Sequence, residues 1–312
     1  MLSVAISAIV ILAAMPSWAQ DTHIVFTPQW TAQAQFAGYY VAKEKGFYDE
    51  VNLDVQIVHP SITEPALSRM YDRESHITTM QLCQAMKIID DGFPLVNILQ
   101  TSMNNSTIII SRYNKNPMTL KGARVAKWKG FGYLSECVNI KEGLDYNWIF
   151  LNTPVSLFIK GAFDAMVATT YSEYIKLLQA GMTIPEESAF RFSEHGYNVQ
   201  DDGVYMSREY YEKHREQARK FAEASRRGWE YTASHPDEAL DYVMKYVHEE
   251  HVATNRTVQK LMLQEVLRLQ VDKQSGKREF RLRPDMVELG SRLMKECHLL
   301  KNEIKYSQII CK

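Results

Sequence analysis

Short runs of β-branched and aromatic residues alternate along this chain with helix-length stretches. His23-Ile24-Val25-Phe26 leads through Thr27-Pro28-Gln29-Trp30 into a helical stretch, Gln35 to Lys45, that Gly46 stops; a second run, Leu53 to Val58, follows at once. Strand, helix and strand with such short connections make a βαβ unit, whose strands are parallel and whose crossover is right-handed. Ligands of sheets of this kind bind beyond the carboxyl ends of the strands. That rule selects the loops Thr27 to Ala34 and His59 to Pro65. Further strands are expected at Ile77 to Met80, Leu95 to Gln100 and Thr107 to Ser111. The turn-rich Asn114-Lys115-Asn116-Pro117 then interrupts the pattern, and a second α/β series has strands at Ala123 to Trp128, Trp148 to Leu151 and Ala165 to Ala168.

From Ser207 onward the periodicity is almost wholly helical. Ser207 reads as an N-cap, and Ser234-His235-Pro236-Asp237 as a capping box with an early proline. The fold class expected is α/β with two lobes. Residues 20–112 with 205–312 would form the first lobe, residues 113–204 the second, and the helical tail would pack mainly on the first. Two crossings, near Asn114 to Pro117 and after Asp201-Asp202-Gly203, would let a few hinge residues rotate the lobes as rigid bodies.

The N-terminus changes the picture. Met1 to Ala19 holds no Asp, Glu, Lys, Arg or His, Val4 to Ala14 is apolar, and Pro16 leads into Ser17-Trp18-Ala19, a small-x-small ending. This reads as a signal peptide cleaved near Ala19. The apolar run is short of the roughly 20 residues of a membrane-spanning helix. No Lys or Arg precedes it, so an uncleaved anchor is the alternative. The expectation is an exported protein, periplasmic or similar, soluble after cleavage and monomeric.

Of the 312 residues, 46% are hydrophobic, enough for a large core. Lys plus Arg number 36 against 37 Asp plus Glu, so the basic field that dominates nucleic-acid binding is missing. Cys83, Cys137, Cys297 and Cys311 match no zinc or C-x-x-C redox spacing. In an oxidising compartment Cys297 and Cys311 can close a loop over the C-terminal tail; Cys83 and Cys137 read as buried free thiols.

Candidate chemistry gathers at strand-to-helix junctions. Gln29 to Tyr40, QWTAQAQFAGYY, places Trp30 and several amides, Gln35 among them, beyond the first strand. Aromatics there offer a stacking surface to a flat ligand, although Phe36, Tyr39 and Tyr40 also fit the buried face of the helix. Lys127-Trp128-Lys129-Gly130-Phe131-Gly132 puts glycines and free amides at a helix start, which can hold an anion or a polar ligand atom. It lacks Walker or Rossmann spacing and fits a plain turn equally well. In Ala168 to Tyr174, Tyr171 and Glu173 reach the same edge; the carboxylate can take two N–H bonds from an aminopyrimidine or simply complement the helix dipole. His248-Glu249-Glu250-His251 spaces its histidines three apart rather than the four of a metalloprotease helix, and no Gly-x-Ser-x-Gly elbow occurs. No catalytic constellation, metal site or cofactor is expected.

The run QWTAQAQFAGYYVAKEKGFYDEVNLDVQI resembles the opening signature of the periplasmic binding proteins for thiamine pyrimidine precursors, and LKGARVAKW, GAFDAMVATTYSEY and EASRRGWEYTASHPDEALDYVMKYV follow in the family's order. Those proteins serve ABC importers and share a fold with the fungal hydroxymethylpyrimidine phosphate synthases. The resemblance implies a type II periplasmic binding fold, a small-molecule ligand between the lobes, an importer permease as partner and contact with the membrane only through that permease. Trp30 corresponds to the family's stacking tryptophan. Tyr171 and Glu173 fall in its Tyr-Asn-Glu-Tyr-like stretch, with Ser172 in place of Asn. His59-Pro60-Ser61-Ile62-Thr63-Glu64 replaces the usual glycine-rich loop, and Ser61 to Gln81 follows the family loosely.

The expected ligand-binding set is Trp30, Gln35, Tyr39, Gln81, Trp128, Phe131, Tyr171 and Glu173. Hydroxymethylpyrimidine, formylaminopyrimidine, another flat heterocycle or a sulfonate remain open as ligands. A synthase-like enzyme and a ligand-sensing partner of a membrane receptor are the rival functions. The synthases resemble single-turnover catalysts with a CCCFC stretch, whereas this chain has no adjacent cysteines.

Overall fold

The structure, a computed structural model, describes residues 22–61, 63–151 and 154–310. One sheet takes β1 (His23–Thr27), β2 (Asp54–Ile57), β3 (Ile77–Gln81), β4 (Leu95–Gln100) and β10 (Asp202–Ser207), in the order β2-β1-β3-β10-β4. The other takes β5 (Thr107–Ser111), β6 (Arg124–Lys127), β7 (Asn147–Phe150), β8 (Ala165–Thr169) and β9 (Ala189–Arg191), in the order β7-β6-β8-β5-β9. Strand β1 runs parallel to β2 and β3, as the opening βαβ pattern requires, while β10 is antiparallel to both β3 and β4.

Two boundaries differ from the sequence expectation. Strand β5 pairs with β8 from Thr107 opposite Thr169 to Ser111 opposite Ala165, so it belongs to the second lobe. The first crossing is therefore residues 101–106, not Asn114 to Pro117. That turn lies inside the second lobe, where the Asn116 side chain accepts from the Met118 amide at 2.9 Å. The return crossing lies just before Asp202, where β10 begins, rather than at residue 204.

The helices are α1 (Ala37–Glu44), α2 (Ala66–Tyr71), α3 (Leu82–Asp90), α4 (Tyr133–Lys141), α5 (Pro154–Ile159), α6 (Glu173–Gln179), α7 (Arg208–Lys213), α8 (Arg215–Ser234), α9 (Pro236–Glu249), α10 (Arg256–Leu269) and α11 (Pro284–Glu296). Helices α1 and α8 pack backbone to backbone: a Cβ on Gly228 would lie 2.0 Å from the Gly38 carbonyl oxygen. This approach seats the buried Trp229 against Tyr39, whose ring also meets Phe26 at 4.7 Å.

Ser207 caps α7, accepting from the Tyr210 amide at 3.2 Å. Ser234 does not cap α9. Its hydroxyl donates to the Glu230 and Tyr231 carbonyls at 3.1 and 3.0 Å and so closes α8, leaving His235 and Pro236 to start the next helix. The tail packs largely on the first lobe, but α11 reaches α4 of the second. There Leu134, Cys137 and Val138 share one apolar cluster with Met86, Leu293, Met294 and Cys297. Cys83, Cys137 and Cys297 are buried free thiols. Cys311, and with it the loop closed by Cys297, lies outside the described residues, as does the signal segment. Among the described residues no helix is long and apolar enough to cross a membrane.

Candidate functional site

The loop after β1 lies where the parallel sheet predicts a ligand. Its backbone is tied to β3 by the Gln29 amide, which donates to Thr79 Oγ1 at 2.9 Å. His59 braces the loop from the other side: Nδ1 donates to the Trp30 carbonyl at 2.7 Å, leaving Nε2 to accept from the Tyr40 hydroxyl at 2.8 Å. Burial lowers the His59 pKa to about 4, which keeps the imidazole neutral near pH 7 with its proton on Nδ1. Thus the segment after β2 holds Trp30, a residue 39% exposed.

Trp128 comes from the opposite lobe, at the end of β6. The two indoles meet edge to face, with centroids 4.8 Å apart and planes at 73°. The turn beyond Trp128 needs left-handed backbone at Gly130 (φ +73°) and Gly132 (φ +66°), which glycine adopts without a Cβ penalty. It delivers the Gly132 amide to the Gln81 side-chain oxygen at 3.2 Å, a bond between lobes.

Glu173 opens α6 and is buried. One of its oxygens accepts from Trp128 Nε1 at 3.2 Å, the other from the Thr169 amide and hydroxyl at 2.9 and 2.8 Å. The carboxylate therefore fixes the indole, and with four lone-pair positions it retains one acceptor position. Tyr171, also buried, accepts from Gln35 Nε2 at 2.8 Å, again across the lobes.

Trp30, Gln35, Gln81, Trp128, Tyr171 and Glu173 are thus brought to the line where the lobes meet. Tyr39 stands behind them as a core ring whose hydroxyl faces Thr101 and Trp229. Phe131 is half-buried and packs on the apolar cluster around α4.

The pair Asp201-Asp202, read from sequence only as a crossing, belongs to the same assembly. Asp202 accepts from Gln29 Nε2 at 3.0 Å and from Gln35 Nε2 at 2.6 Å. Asp201 accepts from the Ser106 amide at 3.1 Å and from its hydroxyl, which joins the two crossings. Burial, and then the neighbouring Asp202 charge, push the Asp201 carboxyl up to about 7; burial also raises Asp202. The available signal was two acids directly before a buried strand, a costly place for charge.

Residues 33–239 match a family model described as NMT1/THI5 like, and the chain belongs to that family. A protein of Haemophilus influenzae named for thiamine biosynthesis is 24% identical over 248 residues, 76% of this chain and 77% of that protein. Among solved structures, the aliphatic sulphonate binding protein SsuA of Escherichia coli is similar, with a TM-score of 0.67 and 15% identity over 93% of this chain and 98% of that one. The alkanesulfonate-binding protein SsuA of Xanthomonas axonopodis pv. citri, bound to MOPS, has a TM-score of 0.69 and 14% identity over 94% and 99%. A Candida albicans protein described as having the generic periplasmic binding protein fold matches at a TM-score of 0.62 and 13% identity over 91% and 92%. The fold is that of the periplasmic binding proteins.

Proposed function

We propose that this chain is an exported solute-binding protein that closes on a small planar heterocycle, a thiamine pyrimidine precursor, and delivers it to the permease of an ABC importer. The observation that carries the reading is the meeting of Trp30 and Trp128 from opposite lobes beyond the carboxyl ends of β1 and β6, with Trp128 held by a buried carboxylate. Closure would bring two aromatic surfaces to one ligand. Stacked or edge-on aromatic pairs gain about 0.5–1.5 kcal/mol beyond the area they bury. Glu173 orients Trp128 and offers its remaining acceptor position to the ligand's amino group. The family match and the relative named for thiamine biosynthesis support the ligand class.

Synthase chemistry finds less support. The chain has no adjacent cysteines, and burial pushes the Cys83 and Cys137 thiols far up, away from the nucleophilic thiolate. The second reading is a sulfonate ligand, favoured by the likeness of the fold to the two SsuA proteins. Thermal-shift titration with 4-amino-5-hydroxymethyl-2-methylpyrimidine, its formylamino analogue and ethanesulfonate separates the two. A ligand at 100 times its Kd stabilises by about 2.7 kcal/mol. A shift with the pyrimidines is expected; a shift with ethanesulfonate alone would sink the pyrimidine assignment.

A further inference from the structure

Directly behind the closing line lies a small cavity of about 20 Å³, with Gln35, Thr101, Tyr171, Asp202, Trp229 and Gln270 in its wall. It has room for about one water-sized group. Among the described residues that line it, Asp202 alone is ionisable as an acid or base near neutral pH. Gln270 is 2% exposed, yet neither atom of its side-chain amide has a hydrogen-bond partner among the described residues. Buried polar groups left in that condition are costly. The cavity is thus lined by an amide with nothing to bond and by a carboxylate whose partners are both neutral amides.

The charge is equally uncompensated. Asp201 and Asp202 are neighbours in the chain, and among the described residues no Lys, Arg or His forms an ion pair with either; their side-chain bonds come from Gln29, Gln35, Gln81 and Ser106. A desolvated carboxylate without a counter-charge is relieved by a partner that brings N–H donors or positive charge, and is made worse by an anion.

Tyr171 closes the cavity from the second lobe. Its hydroxyl bonds Gln35 Nε2, and the same nitrogen donates to Asp202 Oδ2. Rotation of the second lobe would withdraw Tyr171 and open the cavity into the cleft. A ligand donor arriving there would meet the carboxylate, with the Gln270 amide beside it.

We propose that Asp202, with Gln35 and Gln270, forms the deep polar end of the ligand site, that it takes the N–H edge of an amino-substituted or amidine-type nitrogen compound, neutral or protonated, and that it rejects anionic head groups. The assignment rests on the reading of the chain as a solute-binding protein and narrows the ligand it admits. Isothermal titration tests it with 4-amino-5-hydroxymethyl-2-methylpyrimidine, benzamidine and ethanesulfonate on wild type, Asp202→Asn and Gln270→Leu, each checked for folding by its melting curve.

Asp202→Asn removes the charge and turns one acceptor into a donor, and should weaken the nitrogen compounds by about tenfold to a hundredfold. Gln270→Leu removes an amide that bonds nothing in the unliganded fold, and should cost several-fold with melting preserved. If Asp202→Asn does not fold, Gln270→Leu carries the same test. Benzamidine binding that depends on Asp202, without pyrimidine binding, supports the Asp202 site and overturns the pyrimidine reading alone. Pyrimidine binding of equal strength in wild type and both variants overturns the Asp202 site alone. Ethanesulfonate binding to wild type overturns the selectivity, and wild type that binds neither nitrogen compound overturns the assignment.

Discussion

At one seam, here the rear, the lobes meet through Leu134, Cys137 and Val138 of α4 packed with Leu293, Met294 and Cys297 at the end of α11, with Lys141 and Glu296 paired at 2.5 Å. In front they meet through Gln35 with Tyr171, Gln81 with the Gly132 amide, and the edge of Trp30 on Trp128. Parting the rear seam exposes apolar surface, at about 25 cal/mol per Å². Parting the front trades protein hydrogen bonds for water, each worth only about 0.5–1.5 kcal/mol net. The front should therefore open while the rear stays packed. The crossings support a pivot of that kind, because they are laced together: the Thr101 and Ser102 amides both donate to the Asp202 carbonyl at 3.0 Å, and the Asn105 amide to the Asn198 side chain at 2.9 Å.

The largest effect expected from this comparison is on stability, at the rear. Met294 is fully buried, and Met294→Ala should cost about 2–5 kcal/mol. Denaturant or thermal melting would register the loss, while ligand affinity of the folded fraction stays close to wild type. An affinity that falls with little change in melting would place Met294 in the moving part and reverse the assignment of the seams. In front the balance should invert. Trp30→Ala removes the ring of a residue that is 39% exposed, so melting should change little, while pyrimidine affinity falls by several-fold to about tenfold, in line with the energy of an aromatic pair. A collapse in melting would show that the Trp30 ring is a packing element.

Much of this was legible in the chain itself, and the gaps have physical causes. Leu95–Gln100 and Thr107–Ser111 are found with the expected ends, because runs of β-branched and large apolar residues suit a buried strand. Which sheet each strand joins is a separate matter. Periodicity reports local conformation, and residues 101–106, polar except for Met103, carry the lobe change without any Gly or Pro to mark it, whereas Asn114 to Pro117 has strong turn chemistry and changes nothing but direction. Strand β10 was hidden for a related reason. Asp-Gly at its start signals a turn, yet Val204, Tyr205 and Met206 are fully buried in the middle of the sheet. Aromatic and amide candidates at the ends of β1, β6 and β8 could be named because the carboxyl-end rule depends on local order alone. Asp202 could not, because its place in the site comes from a long-range return of the chain between β3 and β4.

The smallest effect expected is also the one that divides the front seam most finely. Tyr171→Phe keeps a ring that is buried at 5% exposure and removes only the hydroxyl that accepts from Gln35. One N–H of Gln35 Nε2 still donates to Asp202, and the other, freed at the mouth of the cleft, can turn to water once the lobes part, so the fold should melt near wild type. The hydroxyl's contact with Thr169 lies within the second lobe and is lost in open and closed forms alike; the bond to Gln35, about 0.5–1.5 kcal/mol, exists only when the lobes are closed, so the population should move toward the open form by less than about tenfold. Small-angle scattering of the unliganded protein should show a larger radius of gyration than wild type, and pyrimidine affinity should drop by less than in Trp30→Ala. Unchanged scattering and affinity would leave the indoles, rather than the Gln35–Tyr171 bond, as what holds the front together. A melting loss as large as that of Met294→Ala would show that the front is packed as firmly as the rear, and the contrast between the seams would fail.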